Sequence, residues 1–528
     1  MHTIHHVALI SLFTALAATP LAAHAGEQPP SASNSHTAQP ALSTSADGIA
    51  WFDGDVDAAF AQAKAQHKPL FLYWGAAWCP PCNQVKATIF KRQDFIARSR
   101  FFVPVHIDGD SQGAQKLATR FKIRGYPTTI LFDPDGAEIT RLPGEVDSAR
   151  YLKILALGMN AAHPVKETLQ AGLAGKPALS NDEWRLLSFY SWDTDEQQLV
   201  AQSERAATLT RLASHAPAGE AALRLKLSAL VALAASAPEE TAGTDNAMAA
   251  STLQSVLSDA AQARLNADLL SNYSAKMVGF FSAPGSALRK RLQASSERAL
   301  ARLAIDRTLS TTDQLAARDA QIAVARLSAP NGQLAPDLLS AAQAQVAAAS
   351  LHTTDVYERQ SVISAAGDVL TDAGLLDQSD QLLTAELKRS HSPYYFMLGL
   401  AANAKKRHDT ATALHWYQAA YADAKGPATR LQWGTTYLNN LLELAPDDEK
   451  RIEQVASAVF GELAQTPDAF YERNRLRLEA TAHKLASWKG QRHEAAFARL
   501  STQLNGICTK LPAGDAQRPT CLALLASA

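Results

Sequence analysis

A chain of 528 residues is longer than one compact core supports, so two or three domains are expected. Acidic and basic residues nearly cancel, 51 against 50, and with a net charge of −1 nothing suggests nucleic-acid or anionic-lipid binding through a basic field. Hydrophobic residues make up 47% but aromatics only 7%, with alanine carrying much of the difference, so a soluble, mostly helical protein is expected.

The N-terminus reads MHTIHHVALISLFTALAATPLAAHAGEQPP. The apolar run from Val7 to Ala23 is short for a membrane span, contains Pro20 and ends in the small-x-small pattern Ala23-His24-Ala25. No Lys or Arg precedes it, only His2, His5, His6 and the terminal amine. Residues 1–25 are read as a signal peptide, without a lipoprotein cysteine, and the mature protein as periplasmic or secreted. Residues 26–48, rich in Ser, Pro and Ala, read as a disordered linker.

Residues 49–162 alternate helix and strand. Asp55–Gln66 has helical periodicity, and Pro69–Trp74 (PLFLYW) is a strand that runs into a cysteine pair. Asn83–Arg98 reads as helix and Phe101–Ile107 as strand. Pro127–Phe132 and Glu138–Leu142 form strands across the turn Asp133-Pro134-Asp135-Gly136, and Ser148–Leu157 closes with helix. The pattern implies a sheet covered by helices.

Beyond Pro164 the strand signal disappears. Residues 163–355 read as helices separated by loops such as SAPGS and SAPNGQLAP. Within 356–505 a degenerate repeat emerges when 360–393 is set above 394–427: Gly367 falls over Ala401, Ser379 over Ala413, Leu383 over Tyr417 and Pro393 over Pro427. This resembles tetratricopeptide repeats, although the large aromatic expected early in each unit is Ile363 or Met397. Residues 506–528 read as a terminal hairpin in which Cys508 and Cys521 form a structural disulfide.

The stretch WGAAWCPPC, residues 74–82, admits three readings: half of a metal site, a structural disulfide or a redox dithiol. A metal site needs three or four ligands, and the only other cysteines lie near the C-terminus, so no metal is expected. A disulfide between Cys79 and Cys82 closes so small a loop that it restrains little of the unfolded chain. A strand leading in, a helix leading out and the later Gly-Tyr-Pro-Thr favour the redox reading.

Together FLYWGAAWCPPC, GYPTTILFDPDG and Gly144 resemble thioredoxin-like proteins. The wider stretch from WFDGDVDAAFAQ to FFVPVHID is similar to the branch that includes the C-terminal periplasmic domain of transmembrane disulfide reductases. The resemblance covers about a fifth of the chain. It implies a cis Pro127 facing the dithiol, with Trp78, Tyr126 and Thr128 lining a substrate groove. Cys79 at a helix N-terminus would be the nucleophile and Cys82 the resolving thiol.

Pro80 and Pro81 remove two N–H donors that could hold a thiolate, which predicts a reducing or isomerising poise, nearer roughly −270 mV than about −120 mV. Tyr73 stands where the family keeps a buried acid, and the accompanying lysine would fall near Pro104. The expected fold is therefore an α/β thioredoxin-like domain followed by an all-α region of helical hairpins. The expected function is an exported thiol–disulfide oxidoreductase acting on protein disulfides or thiols, fed by a membrane-linked electron donor. Its redox-active disulfide would be its only cofactor, and its helical region would dock substrates. An isomerase would need two such sites close together, hence a dimer. The alternative is a periplasmic scaffold or chaperone-like binder with an accessory thioredoxin-like domain.

Overall fold

Alternation along one strand builds the first layer of the structure, a computed structural model. It describes residues 43–44, 48–142, 144, 147–176, 178–192, 195, 199–236, 243–329, 332–466, 468–490 and 493–525. The expected signal peptide and most of the expected linker lie outside the described residues. Strands β1 (Ser43–Thr44) and β2 (Ala50–Trp51) pair antiparallel, which corrects the reading of 26–48 as wholly without structure.

Helix α1 (Val56–Gln66) is capped by the Asp55 side chain and leads to β3 (Leu70–Gly75), buried along its whole length. Its Phe71 and Tyr73 face one apolar layer, with Phe90, Phe95, Leu131 and Leu155, while Leu70, Leu72 and Trp74 face the other, with Ala59, Ala118 and Ile130. A central strand with both faces covered has no polar side, which is why it reads as a continuous apolar run.

Next come α2 (Pro80–Val85), a π-helical stretch at Lys86–Phe90 and α3 (Gln93–Ser99). The single helix expected over 83–98 is thus broken: Arg92 is extended, and the wider π turn lets consecutive Ile89 and Phe90 both enter the core. Strand β4 (Val103–Asp108) precedes α4 (Ala114–Phe121), a helix missing from the sequence reading. Strands β5 (Thr128–Phe132) and β6 (Glu138–Leu142) and helix α5 (Ser148–Met159) complete the unit. The sheet order is β4-β3-β5-β6, with β3 and β4 parallel and the other pairs antiparallel.

From Val165 to Ala523 every regular element among the described residues is a helix. Successive helices pair as hairpins, among them Val356–Asp372 with Leu376–Glu386 and Pro393–Lys406 with Thr410–Asp423. Small residues mark the crossings: Leu383 fills the space that a Cβ on Gly367 or Gly399 would take. Cys508 and Cys521 are joined and buried, tying the helix Glu494–Cys508 to Gln517–Ala523. This is a helical hairpin array of the repeat kind.

The array meets the α/β unit at both ends and, between them, through the helix Val356–Asp372 against α2 and an ion pair of Arg264 with Asp147. Its near end adds Leu186 and Phe189 to the layer around Phe71 and Tyr73. Its far end curls back so that Ala76, Trp78, Cys79 and Cys82 share one apolar cluster with Tyr394, Leu398 and Trp433.

Candidate active site

Cys79 is the N-cap of α2, and Pro80 and Pro81 take the first helical positions, where a missing N–H costs nothing. Cys79 and Cys82 are joined as a disulfide with their Cα atoms 5.2 Å apart. Cys79 Sγ still accepts the Cys82 backbone N–H at 3.3 Å, so one donor remains after the prolines have removed theirs. Asn83, which the sequence reading passed over, braces the turn by donating to the carbonyls of Ala77 at 2.8 Å and Cys79 at 2.9 Å.

Tyr73 lies beneath the pair and donates its hydroxyl to the Cys82 carbonyl at 3.3 Å. Burial drives its pKa far above the ordinary phenol value, so it cannot serve as a base for Cys82 near neutral pH. Pro104 occupies β4, where a lysine partner was expected to be missing.

The Tyr126–Pro127 peptide bond is cis. Gly144 packs against that proline so closely that a Cβ there would stand 2.8 Å from Pro127 Cγ. Thr128 begins β5, buried, with its hydroxyl on the Gly125 carbonyl at 3.0 Å. The Tyr126 ring lies 5.9 Å from the Trp78 ring, so the cysteine turn and the Gly-Tyr-Pro loop share one face of the domain.

That face is covered. Cys79 is 2% exposed, Cys82 0% and Trp78 4%. Tyr395 stacks on Trp78 at 6.2 Å, Trp433 meets it edge-on at 4.8 Å, and the Arg473 guanidinium lies 5.0 Å from its ring and 4.5 Å from that of Tyr126. All three come from the helical array, more than 300 residues from the dithiol, and no local sequence signal announces them.

Asp110 is the polar centre of this contact. Its carboxylate accepts the Trp78 indole N–H at 2.5 Å and the Thr429 hydroxyl, and it lies 3.5 Å from Arg473 Nη1. Burial pushes its pKa up to about 6 against the opposing pull of Arg473. Among the described residues neither Nη1 nor Nη2 of Arg473 has a hydrogen-bond acceptor. A carboxylate directly after an apolar strand, in Asp108-Gly109-Asp110, was the available sequence signal for this group.

Among the described residues no group of three or more His, Cys, Asp or Glu side chains is placed to hold a metal ion, and no helix is long and apolar enough to cross a membrane.

Residues 56–158 match the thioredoxin-like domain family. Over 102 residues, 19% of this chain and 17% of the relative, the sequence is 29% identical to the thiol:disulfide interchange protein DsbD 2 of Pseudomonas aeruginosa. It is 33% identical over 98 residues, 18% of this chain and 17% of the relative, to DsbD 1 of the same organism. It is 24% identical over 99 residues, 16% of this chain and 57% of the relative, to the disulfide bond reductase DsbH of Chlamydia pneumoniae. The chain thus spans about a sixth of the length of the interchange proteins, 17% in each.

Proposed function

We propose, from the thioredoxin-like domain that residues 56–158 form, that this protein carries out thiol–disulfide exchange on other proteins through Cys79 and Cys82. The observation that carries the reading is the disulfide itself, seated at the N-cap of α2 on the face that also holds the Tyr126–Pro127 bond. A sulfur at a helix N-terminus meets unpaired N–H groups and the positive end of the dipole, which favours the thiolate.

In the reducing direction the Cys79 thiolate attacks one sulfur of a substrate disulfide. A bond forms between Cys79 and that sulfur, and the other substrate sulfur leaves as a thiolate. The Cys82 thiolate then attacks Cys79 Sγ and expels the first substrate sulfur. Two electrons pass to the substrate, and Cys79–Cys82 is left oxidised, the form seen here. The dithiol is its own electron carrier, with no other cofactor, and it is recharged by a reduced partner of the same chemistry. The export reading rests on the Val7–Ala25 pattern, and a membrane-linked donor follows from it. Substitution Cys82→Ser tests the reading: covalent adducts on Cys79 that dithiothreitol releases are expected, and their absence from cells or extracts rejects it.

The covered site favours a second reading, in which the array is a scaffold and the α/β unit its accessory. Normal function after loss of both thiols would select that reading.

A further inference from the structure

We infer that the helical array is a gate over the dithiol: the form described here is closed, and a protein disulfide reaches Cys79 only after the far end of the array has lifted from the α/β unit. This inference rests on the exchange reading of Cys79 and Cys82.

The near-end attachment of the array differs in kind from the contacts around the dithiol. At the near end Phe189 and Leu186 are part of an apolar core, the Arg224 guanidinium lies 4.0 Å from the Phe189 ring, and Arg150 pairs with Glu220 at 2.6 Å. That end is fixed. Around the dithiol Ala76, Trp78, Cys79 and Cys82 enter the apolar cluster of the far end, and polar contacts flank that plug. Gln84 donates to Asp313 at 2.7 Å, Lys91 pairs with Asp355, and the Gln115 backbone N–H meets Asp468 at 2.9 Å. Arg124 pairs with Glu472 at 2.9 Å, and His391 Nε2 lies 3.0 Å from the Ala77 carbonyl oxygen. Water can replace each of these contacts, as at interfaces between domains that move.

The contact around α2 and Trp78 is also incompletely matched. A cavity of about 260 Å³ separates α2 from the array, lined in part by Pro80, Pro81, Gln84, Asp313 and Tyr395. A permanent core closes such voids. Arg473, 8% exposed, faces Asp110 at 3.5 Å but holds two buried Nη donors without hydrogen-bond acceptors, and buried donors left without acceptors are costly. Glu472, which makes one of the ion pairs, sits at φ 35°, in the left-handed region that a residue with a Cβ adopts at a cost. Opening relieves all three.

Closure leaves no path for exchange with a folded partner. Attack on a disulfide needs the substrate sulfur in line with Cys79 Sγ, and Tyr395, Trp433 and Arg473 cover that approach through Trp78.

The test uses the full chain, reduced with a phosphine, and follows modification of Cys79 by mass spectrometry. N-ethylmaleimide and a polyethylene-glycol maleimide are compared in the wild type, in the double variant Asp355→Asn with Glu472→Gln, and in the wild type at raised salt. Both substitutions remove an ion pair across the contact and leave the dithiol intact, and Asn at 355 can still cap its helix. The wild type should discriminate strongly against the large reagent, and the variant and high salt should each relax that discrimination by about tenfold. Discrimination that is equal in all three, whether strong or absent, overturns the gate. Reaction of the same reduced proteins with oxidised glutathione is scored separately: if no mixed disulfide forms in any of them, the exchange reading fails, while the size dependence still reports on the gate.

Discussion

Asp110 accepts the indole N–H of Trp78 at 2.5 Å, so the residue beside Cys79 is held by a carboxylate that also faces the helical array through Thr429 and Arg473. The charged groups around Asp110 are Arg473, which stabilises its ionised form, and Asp108, which opposes it. Burial wins and raises its pKa from 3.8 to about 6.

The raised pKa gives a pH dependence with a definite sign. Between about pH 4 and about pH 6 the folded state holds a proton on Asp110 that the unfolded state has released. This group's contribution to stability is full below the unfolded pKa and is lost as pH rises through the folded one. Relative to Asp110→Asn, the wild type should lose up to roughly 3 kcal/mol between about pH 4 and about pH 7. Denaturant midpoints of the two proteins across that range measure it, and a difference that grows in favour of the wild type with pH contradicts it.

Pro81→His should make the dithiol more oxidising. The substitution restores an N–H at the second position of α2, beside the sulfur that accepts from Cys82 N at 3.3 Å. A better-held thiolate stabilises the reduced form, and an increase in potential of about 30 mV or more is expected. Equilibration with glutathione buffers gives the value, and an unchanged or lower potential argues against the prolines as the cause of a reducing poise.

Tyr73→Phe separates packing from proton transfer. The ring stays, but the hydrogen bond to the Cys82 carbonyl at 3.3 Å is lost, so stability should fall by about 1 kcal/mol. The pH profile of exchange should not move, because this phenol is not ionised in the relevant range. A displaced profile would make Tyr73 a participant in the proton transfer.

Two glycines of the array make opposite predictions. A Cβ on Gly434 would lie 2.6 Å from Val459 Cγ2, so Gly434→Ala should cost about 1–3 kcal/mol by overpacking. Gly461 has open space where its Cβ would be and sits within the helix Glu449–Leu463, so Gly461→Ala should stabilise by about 0.5–1 kcal/mol. Thermal melts of the pair provide the check, and similar effects at both sites would mean that the hairpins cross elsewhere.

The α/β unit was legible because its signals are local. Apolar runs marked β3, β5 and β6, and the two-residue spacing of Cys79 and Cys82 marked the start of α2. Where the reading failed, the cause lay in a tertiary demand. The π stretch at Lys86–Phe90 serves the core and has no signature in propensity, and short α4 buries only Ala114, Gln115, Ala118 and Phe121. At the site, the sequence reading found the residues supplied by the α/β unit except Asn83, Gln115 and Asp110, and for Asp110 the signal after the apolar strand was passed over. Arg473, Thr429, Trp433 and Tyr395 could not, because their role depends on how far the array curls before it meets Trp78. In an alanine-rich helix series that curvature is a sum of many small packing angles, which no single motif encodes.

The sharing of Leu186 and Phe189 changes what counts as a separable piece of this protein. The family boundary falls at residue 158, yet two buried side chains beyond it complete the packing around Phe71 and Tyr73. A fragment cut at the boundary would present that vacancy to water as a greasy patch beside Tyr151 and Leu155, inviting self-association. Evolutionary module and folding unit therefore do not coincide here. A polypeptide extended through the helix Asn181–Ser188 and Phe189 would keep this packing while leaving its cysteines uncovered.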